Sequence, residues 1–293
     1  MALTSPALTV AIPALFGKIA PALDLLKRIG PTDFSADAPE YSVKPGATVK
    51  IPVSAVSAAS EYNDSTNNYL TGGTTSWASL VCSHYLQGFD ISGVNVDQGV
   101  DAGKMKQLFA LRAGAGIAAA ALGNLRTALD GVTASTAVKL PAVASVAIAD
   151  YQALGSSLTW LDRANAALVL NPTEYAKVKA VFAAANVIAP DAELAKFIGF
   201  RDLVCVTGLT SRAVIVPDGS VGFLSRVPEI VADYPEHGTE TDEESGLSVG
   251  IVRAADQSKN RVVVNADLWF GTSVLSAPAG AGTAGAVNVG TNS

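Results

Sequence analysis

The 293-residue chain is poor in cysteine and has no long apolar run. Cys82 and Cys205 are its only cysteines, and two thiols cannot form the disulfide framework of a small secreted protein. The apolar N-terminal stretch has no basic residues before it and is interrupted by Pro6 and Pro13, which argues against a signal peptide. The sequence therefore favours a reducing compartment and predicts no helix that spans a bilayer.

Basic charge is also scarce, since 20 Lys and Arg residues stand against 26 Asp and Glu residues and give a net charge of −6. The basic residues form no cluster, so the folded surface is not expected to grip nucleic acid tightly. A container for DNA stays possible, because enclosed DNA brings its own counterions. Charged residues make up 16% of the chain and hydrophobic residues 49%. This balance predicts that much apolar surface is buried between subunits.

Sequence motifs of catalysis are largely missing, with no P-loop string and no G-x-S-x-G elbow. Gly114–Ala119 matches the dinucleotide-binding pattern G-x-G-x-x-A. That pattern requires a preceding strand and an acidic residue at the end of a second strand. Helical spacing instead runs through these glycines, and Asp130 ends the same helix. Close helix packing is therefore favoured, and cofactor binding is the alternative.

Both histidines have a metal-binding and a structural interpretation. His84 follows Cys82 by two residues, but no second Cys/His pair is nearby, so a partly buried histidine in a strand is favoured. His237 lies in the acidic segment 233–246, where a solvated loop is predicted and a weak divalent-cation site is the alternative. The acidic residues of that segment are Asp233, Glu236, Glu240, Asp242, Glu243 and Glu244. The sequence thus predicts no catalytic residue, metal ligand or cofactor.

The stretch Val43–Ile91 has the pattern of a long hairpin. Val49, Ile51 and Val53 alternate with polar residues and Pro52 as in a half-buried strand. The returning segment is Trp77–Phe89, which is rich in aromatic and β-branched residues but alternates less cleanly. The polar residues between these strands have almost nothing to bury, which is typical of a loop that contacts something outside its own domain. We therefore predict that the tip contacts a neighbouring subunit. The predicted tip contacts are Glu61, Tyr62, Asn63, Asp64, Asn68, Tyr69, Leu70 and Trp77.

Residues 1–40 predict an extended arm with one short helix at Ala22–Ile29, because prolines punctuate the segment. Apolar side chains in such an arm cannot cover one another, so they must pack on the rest of the chain or on a neighbour. The predicted arm contacts are Leu8, Val10, Ile12, Leu15 and Phe16.

A long helix and an α/β block are predicted next. Apolar residues at three- and four-residue spacing favour a helix from about Val100 to Leu129, stopped by Asp130-Gly131. Asn171-Pro172-Thr173-Glu174 then supplies a cap, a first-turn proline and a capping-box acid for a later helix. The predicted elements of the block are helices at Val146–Ala164, 172–184 and Asp191–Ile198, and strands at Ala167–Leu170, Leu203–Val206, Ala213–Val216 and Val221–Leu224.

Two further strands, Leu247–Arg253 and Arg261–Phe270, are predicted before the C-terminus. The residues after Pro278 are rich in Gly and Ala and are predicted to form a mobile tail.

Several segments resemble the major capsid proteins of tailed bacteriophages, which have the Hong Kong 97-like fold. Residues 46–53, GATVKIPV, look like the start of that family's extended loop. Residues 168–179, LVLNPTEYAKVK, look like the strand-then-helix segment of its axial domain. Val214–Arg226 and Leu268–Gly271 resemble its later strands, and the order of all these parts is also that of the family.

The resemblance implies an α+β fold built from an arm, an extended loop, a peripheral domain with a long spine helix, and an α/β axial domain. The implied segments are an N-terminal arm at 1–41, an extended β-hairpin loop at 42–91, a peripheral domain at 92–134, an axial domain at 135–235, return strands at 236–276 and a flexible C-terminal tail at 277–293.

The function implied by the resemblance is structural: a major capsid protein whose hexamers and pentamers form an icosahedral shell around double-stranded DNA. Implied partners are other copies of the chain and scaffolding, portal and decoration proteins, with DNA enclosed without sequence-specific binding and no membrane. The implied location is the virion, after assembly in the host cytoplasm. The alternatives are an encapsulin-like compartment protein, which shares the fold but encloses a cargo enzyme, and an α/β nucleotide-cofactor enzyme.

Overall fold

The computed structural model describes residues 25–34 apart from Lys27, 48–54, 75–91, 102–156, 165–227, 236–241, 248–256, 261–275 and 287–291. The longer helices within these stretches are α1 (Ala102–Asp130), α2 (Ile148–Ser156), α3 (Pro172–Ala184) and α4 (Asp191–Ile198). Leu25, Leu26, Arg28 and Ile29 are also helical, within the predicted short helix Ala22–Ile29. The strands are β1 (Thr32–Asp33), β2 (Thr48–Ser54), β3 (Thr75–Val81), β4 (Ser83–Ile91), β5 (Ala134–Leu140), β6 (Ala167–Leu170), β7 (Asp202–Cys205), β8 (Ala213–Val216), β9 (Val221–Arg226), β10 (Glu236–Thr241), β11 (Ser248–Asp256), β12 (Arg261–Val274) and β13 (Val287–Thr291). Across the described stretches, every helix is too short or too polar to cross a membrane.

Two larger sheets and one hairpin contain these strands. The six-stranded sheet has the order β1-β9-β12-β11-β10, and β4 also pairs with β12. Ala266 of β12 faces Ile251 of β11 on one side and Gln87 of β4 on the other, so β4 and β11 lie along opposite edges of β12. The five-stranded sheet has the order β5-β13-β8-β6-β7, and β2 and β3 form the antiparallel hairpin.

The five-stranded sheet is buried on both faces, which explains why β6 and β8 are continuous apolar runs. Successive side chains of a strand point to opposite faces. Leu168 and Leu170 of β6 accordingly pack in a core with Phe182 of α3, while Val169 packs in a second core with Leu125 of α1. The sheet is therefore shared between the helices α2 to α4 on one side and α1 on the other.

Helix α1 packs against the six-stranded sheet and confirms the predicted long helix over the described residues. Ile117 and Leu125 belong to its buried face and share one core with Phe270 of β12. The helix ends at Asp130, as predicted. The Asp130 carboxylate accepts hydrogen bonds from the backbone amides of Thr210 and Ser211, at 3.1 and 2.9 Å. These bonds connect the end of α1 to the loop between β7 and β8.

The start of α3 confirms the predicted cap and corrects the predicted capping box. Asn171 accepts a hydrogen bond from the Glu174 amide at 2.8 Å, as an N-cap does. The Glu174 side chain was expected to return to the Asn171 amide, but it is fully buried and contacts Tyr151 and Arg212 instead. The Asn171 amide donates to the Arg212 carbonyl oxygen at 3.1 Å, because Asn171 directly follows β6 and continues its pairing.

The predicted returning strand Trp77–Phe89 is instead two strands in different sheets. β3 pairs with β2 and ends at Val81, while β4 begins at Ser83 and pairs with β12. Cys82 lies between them and is buried. Apolar and polar residues alternate poorly along Trp77–Phe89 because its first part pairs with β2 and its second part with β12.

The acidic segment 233–246 contains a strand where a solvated loop was predicted. Glu236–Thr241 forms β10 and pairs antiparallel with β11 over its full length. The prediction of a loop is therefore wrong for 236–241, because backbone pairing with β11 outweighs the polar composition. The other residues of the segment lie outside the described ones.

The C-terminal tail also contains a strand. β13 lies between β5 and β8, parallel to the first and antiparallel to the second. Val289 is buried in the core that holds Leu140 and Ile215. The prediction of a flexible tail is therefore wrong for 287–291. The prediction rested on the Gly- and Ala-rich composition of the whole tail and overlooked the strand pattern Val-Asn-Val at its end.

β3 crosses closely over β12 at Gly271. A Cβ atom on Gly271 would overlap the Val81 carbonyl oxygen and lie 2.9 Å from Leu80 Cδ2. Gly271 also pairs with Leu224 of β9. Neither backbone can retreat without breaking its sheet, so only glycine fits at this crossing.

Gly271→Ala is expected to lower the free energy of unfolding by about 1–3 kcal/mol, the usual cost of overfilling a packed interior. Gly123→Ala is the matched control, because a Cβ on Gly123 of α1 meets nothing within 4 Å. The control should raise stability by about 0.5–1 kcal/mol, since alanine favours the helix interior. Urea denaturation of the unassembled subunit measures both changes. Equal effects at the two positions would contradict the close crossing.

Candidate functional site

The described part of the β2–β3 hairpin, residues 48–54 and 75–81, is called the hairpin root below. It has one buried face and one exposed face. Val49 and Ile51 face the protein together with Leu80 and pack near Leu224 and Leu275. Alternating residues must therefore point outward. The hairpin is anchored to the six-stranded sheet through its inner face alone, among the described contacts, which leaves its outer face available for a partner.

The outer face carries large apolar side chains. Trp77 is 64% exposed and Val81 is 48% exposed. The exposed residues Lys50 and Ser79 lie opposite each other between them, and Trp77 itself pairs with Pro52. Aromatic residues held in this way on a rigid strand are typical of protein–protein contacts. Of the predicted tip contacts, Trp77 lies within the described residues, and it is at the root of the hairpin rather than at its tip. Its contact with a neighbour stays a prediction.

The other predicted contact residues lie outside the described part of the chain. These are the tip residues at positions 61–70 and the arm residues at positions 8–16. Their roles stay predictions.

An open groove of about 460 Å³ continues this outer face toward α1. Val81 and Ser79 line one wall, and Asn124 of α1 lies in the other. The Asn124 amide donates to the Tyr85 hydroxyl at 3.0 Å, and its oxygen accepts from Thr272 Oγ1 at 2.6 Å. The groove therefore combines an apolar edge with hydroxyl and amide groups that bond one another.

Cys82 and His84 have separate partners and do not form a metal site together. Cys82 packs in the apolar core of the hairpin, and burial raises the pKa of its thiol to about 11, with Arg226 partly opposing this. His84 Nε2 lies 2.7 Å from Asp267 Oδ1. Burial raises the pKa of Asp267, although the hydrogen bond and charge of His84 oppose that rise. The His84 side chain is one-third exposed and lies in strand β4.

The described residues of the two remaining candidate sites lie in regular secondary structure. Gly114–Ala119 lies in the middle of α1, so helical residues rather than a strand and a turn directly precede it, unlike the phosphate-binding segment of a dinucleotide fold. His237 lies in β10 opposite Val252. Within the described stretches, no group of three or more His, Cys, Asp or Glu side chains is arranged to hold a metal ion.

Two exposed apolar side chains on the five-stranded unit were not predicted. Ile188, between α3 and α4, is 92% exposed, and Phe197 on α4 is 54% exposed. Phe197 stands edge-on to the buried Phe182, with ring centroids 5.6 Å apart. Positive φ at Asn186, 58°, shapes the loop that carries Ile188. The sequence signal was the apolar triplet Val187-Ile188-Ala189 between two helices, of which the outer two residues pack inward.

Comparison with known proteins gives matches in structure. No family model and no curated protein sequence matches the chain. A chain from the capsid of an empty GTA particle matches with a TM-score of 0.53 at 14% identity, covering 84% of this chain and 84% of that chain. A chain from the capsid of Ralstonia phage GP4 matches with a TM-score of 0.50 at 9% identity, covering 86% and 85%. These similarities confirm the predicted fold class: the chain has the mixed helix-and-sheet fold of phage capsid subunits.

Proposed function

We propose that this chain is a capsid shell protein that assembles with copies of itself as hexamers and pentamers into an icosahedral shell enclosing double-stranded DNA. The observation that carries the proposal is the capsid fold over more than four-fifths of the chain. The exposed apolar root of the hairpin supports it, because a side chain such as Trp77 is normally covered in an obligate assembly.

The proposal assigns a part to each segment. The arm at 1–41 and the extended loop at 42–91 contact neighbouring copies, and α1 is the spine of the peripheral domain at 92–134. The α/β segment at 135–235 is the axial domain, which surrounds the symmetry axis of each hexamer or pentamer. Ile188 and Phe197 supply exposed apolar surface there. The subunit then belongs to the virion, where scaffolding, portal and decoration proteins are its expected partners.

Negative-stain microscopy of the purified protein tests the proposal, with closed shells as the expected result. A subunit that stays monomeric in light scattering over a wide concentration range would contradict it. The material inside particles recovered from the native host then identifies the contents. Nuclease-protected double-stranded DNA is expected, whereas a protein cargo without DNA would favour a compartment shell of the encapsulin kind.

Trp77→Ser is expected to weaken shell assembly while leaving the subunit folded. The ring is largely exposed, so its loss should change the free energy of unfolding by no more than about 0.5 kcal/mol. A tryptophan buried at an interface commonly contributes about 2 kcal/mol or more, which corresponds to a roughly 30-fold weaker contact. Sedimentation analysis of assembly against protein concentration measures the effect.

Ser79→Ala, on the same exposed face of β3, is the control, because it removes a hydroxyl group and no apolar surface and should therefore weaken assembly far less than Trp77→Ser does. If Trp77→Ser assembles at the same protein concentration as the unmodified protein, the outer face of the hairpin root is not an interface.

A further inference from the structure

Residues 25–34 cross from one sheet to the other. Leu26 and Ile29 are buried in the core that lies beneath α1. The chain then forms β1, which pairs parallel with β9 in the six-stranded sheet. The Phe34 amide continues this pairing by donating to the Phe223 carbonyl oxygen at 2.9 Å. The segment, called the strap below, therefore connects the root of the N-terminal arm to the body of its own subunit.

Arg28 fixes the first half of the strap to the five-stranded sheet. Its Nε and Nη2 donate to the two carboxylate oxygens of Asp202 at 2.7 and 2.9 Å. Nη2 also donates to the Leu203 carbonyl oxygen at 2.7 Å. Asp202 and Leu203 begin β7, the last strand in the order of that sheet. This two-pronged geometry is available to arginine but not to lysine.

Arg201 holds the same junction from the other side. Its Nη2 donates to the Arg28 carbonyl oxygen at 2.9 Å, and its Nη1 donates to Asp218 Oδ1 at 2.8 Å. Asp218 lies in the turn that carries the chain from β8 in one sheet to β9 in the other. The Gly219 amide in this turn donates to the Gly30 carbonyl oxygen at 2.9 Å. The charged groups thus meet where both sheets and the strap come together.

Glycine is required where the strap turns. Gly30 has φ of 72°, and a Cβ atom there would overlap Asp218 Oδ1 and lie 2.6 Å from Arg201 Nη2. The Gly30 backbone therefore lies directly against the Arg201–Asp218 ion pair, in a left-handed conformation that favours glycine.

Asp202 carries the negative charge that its ion pair with Arg28 requires. Burial by itself would raise the pKa of Asp202, but hydrogen bonds from Arg28 and the Leu203 amide and the charges of Arg28 and Arg201 hold that pKa below its ordinary value. Asp202 is therefore ionised at neutral pH.

We propose that Arg28 is a positioning residue for the N-terminal arm: it locks the strap to its own subunit, so that within this arm only the residues that precede Leu25 contact a neighbouring copy. The contact with a neighbour rests on the proposed shell function, whereas the lock itself does not.

Hydrogen–deuterium exchange of the full-length, unassembled subunit tests the lock. Arg28→Met removes the fork and keeps most of the apolar stem, so exchange of peptides covering 25–34 and 202–205 should rise at least about 10-fold. Arg28→Lys keeps the charge without the fork and should give an intermediate rise. Lys196→Met removes an exposed cation from α4 and should leave these peptides unchanged. Unchanged exchange in Arg28→Met overturns the proposal.

Arg28→Lys keeps the test decisive if Arg28→Met does not fold. A rise confined to 25–34 and 202–205 in Arg28→Lys supports the lock, and a rise spread evenly over the chain contradicts it.

Microscopy separates this proposal from the shell function on which its second part rests. If the unmodified protein forms shells, Arg28→Met should form malformed or heterogeneous particles, because the arm then leaves the subunit from a variable position. Uniform shells from a variant with a loosened strap would overturn the positioning role. If the unmodified protein forms no shells, the proposed function fails, and the exchange result still decides whether the strap is locked.

Discussion

Glu174→Ala is expected to lower the free energy of unfolding by about 3–5 kcal/mol, because it leaves a buried arginine without its partner. Arg212 donates to Glu174 Oε2 from Nε at 3.1 Å and from Nη2 at 2.9 Å. The Arg212 side chain is only 16% exposed, so water cannot replace the lost carboxylate. Urea denaturation of the unassembled subunit measures the change.

The Glu174 carboxylate connects elements that are distant in the sequence. Its Oε1 accepts a hydrogen bond from the Tyr151 hydroxyl of α2 at 2.6 Å. Arg212, just before β8, also donates to the Pro141 carbonyl oxygen after β5 at 2.7 Å. Burial and the neighbouring Glu174 raise the pKa of Tyr151, so its hydroxyl keeps its proton and stays a donor. Loss of Glu174 should therefore loosen α2, α3 and the ends of two strands together.

Two variants distinguish the loss of the Glu174 charge and hydrogen bonds from the loss of its side-chain volume. Glu174→Gln keeps the shape and one acceptor oxygen but loses the charge, so it should cost less than Glu174→Ala. Tyr151→Phe removes one hydrogen bond and should cost about 1–2 kcal/mol, non-additively with Glu174→Ala. Glu193→Ala, on the exposed face of α4, should change stability by no more than about 0.5 kcal/mol. A cost below about 1 kcal/mol for Glu174→Ala would contradict the network's role.

Elements whose signals are local were predicted well from the sequence. Ala167–Leu170 is a strand with the predicted bounds, because four apolar residues followed by Asn171-Pro172 leave few alternatives. Asn171 caps α3 as expected, and α1 ends at the predicted residue, Asp130. In each case the residues that decide the structure lie within a few positions of one another.

Features that depend on a distant partner were missed. Glu174 has the sequence position of a capping-box acid, and only the approach of Arg212 and Tyr151 assigns it a different role. The change of sheet at Cys82 depends on β12, nearly 200 residues later. Trp77 was predicted as a contact because it lies beside the polar insert. The exposure of Ile188 could not be predicted, because it depends on Val187 and Ala189 packing inward.

β13 is the clearest case of such a distant dependence, and removing residues 287–293 is expected to have the largest effect on the five-stranded sheet. The strand lies between β5 and β8, so its loss leaves both without a partner on that side. It also uncovers Leu140 and Ile215, which share a core with Val289. We expect loss of cooperative unfolding for this unit and binding of a hydrophobic dye, as in partly packed states.

Point variants test the same contact with less disruption. Val289→Ala removes two buried methyl groups and should cost about 2 kcal/mol, from lost burial and the cavity left behind. Ile188→Ala is the matched control, because it removes apolar atoms from an exposed side chain and should change stability by no more than about 0.5 kcal/mol. Both are measured by urea denaturation of the unassembled subunit.

The comparison of truncation and point variant decides how β13 contributes. If its role is only to bury Val289, the truncation should cost little more than Val289→Ala. If it completes the sheet, the truncation should cost several times more, because the backbone groups of β5 and β8 lose their hydrogen-bond partners as well. We expect the second result, since β13 pairs on both sides. A truncated chain that still unfolds cooperatively at the unmodified midpoint would show that β5 and β8 hold without it.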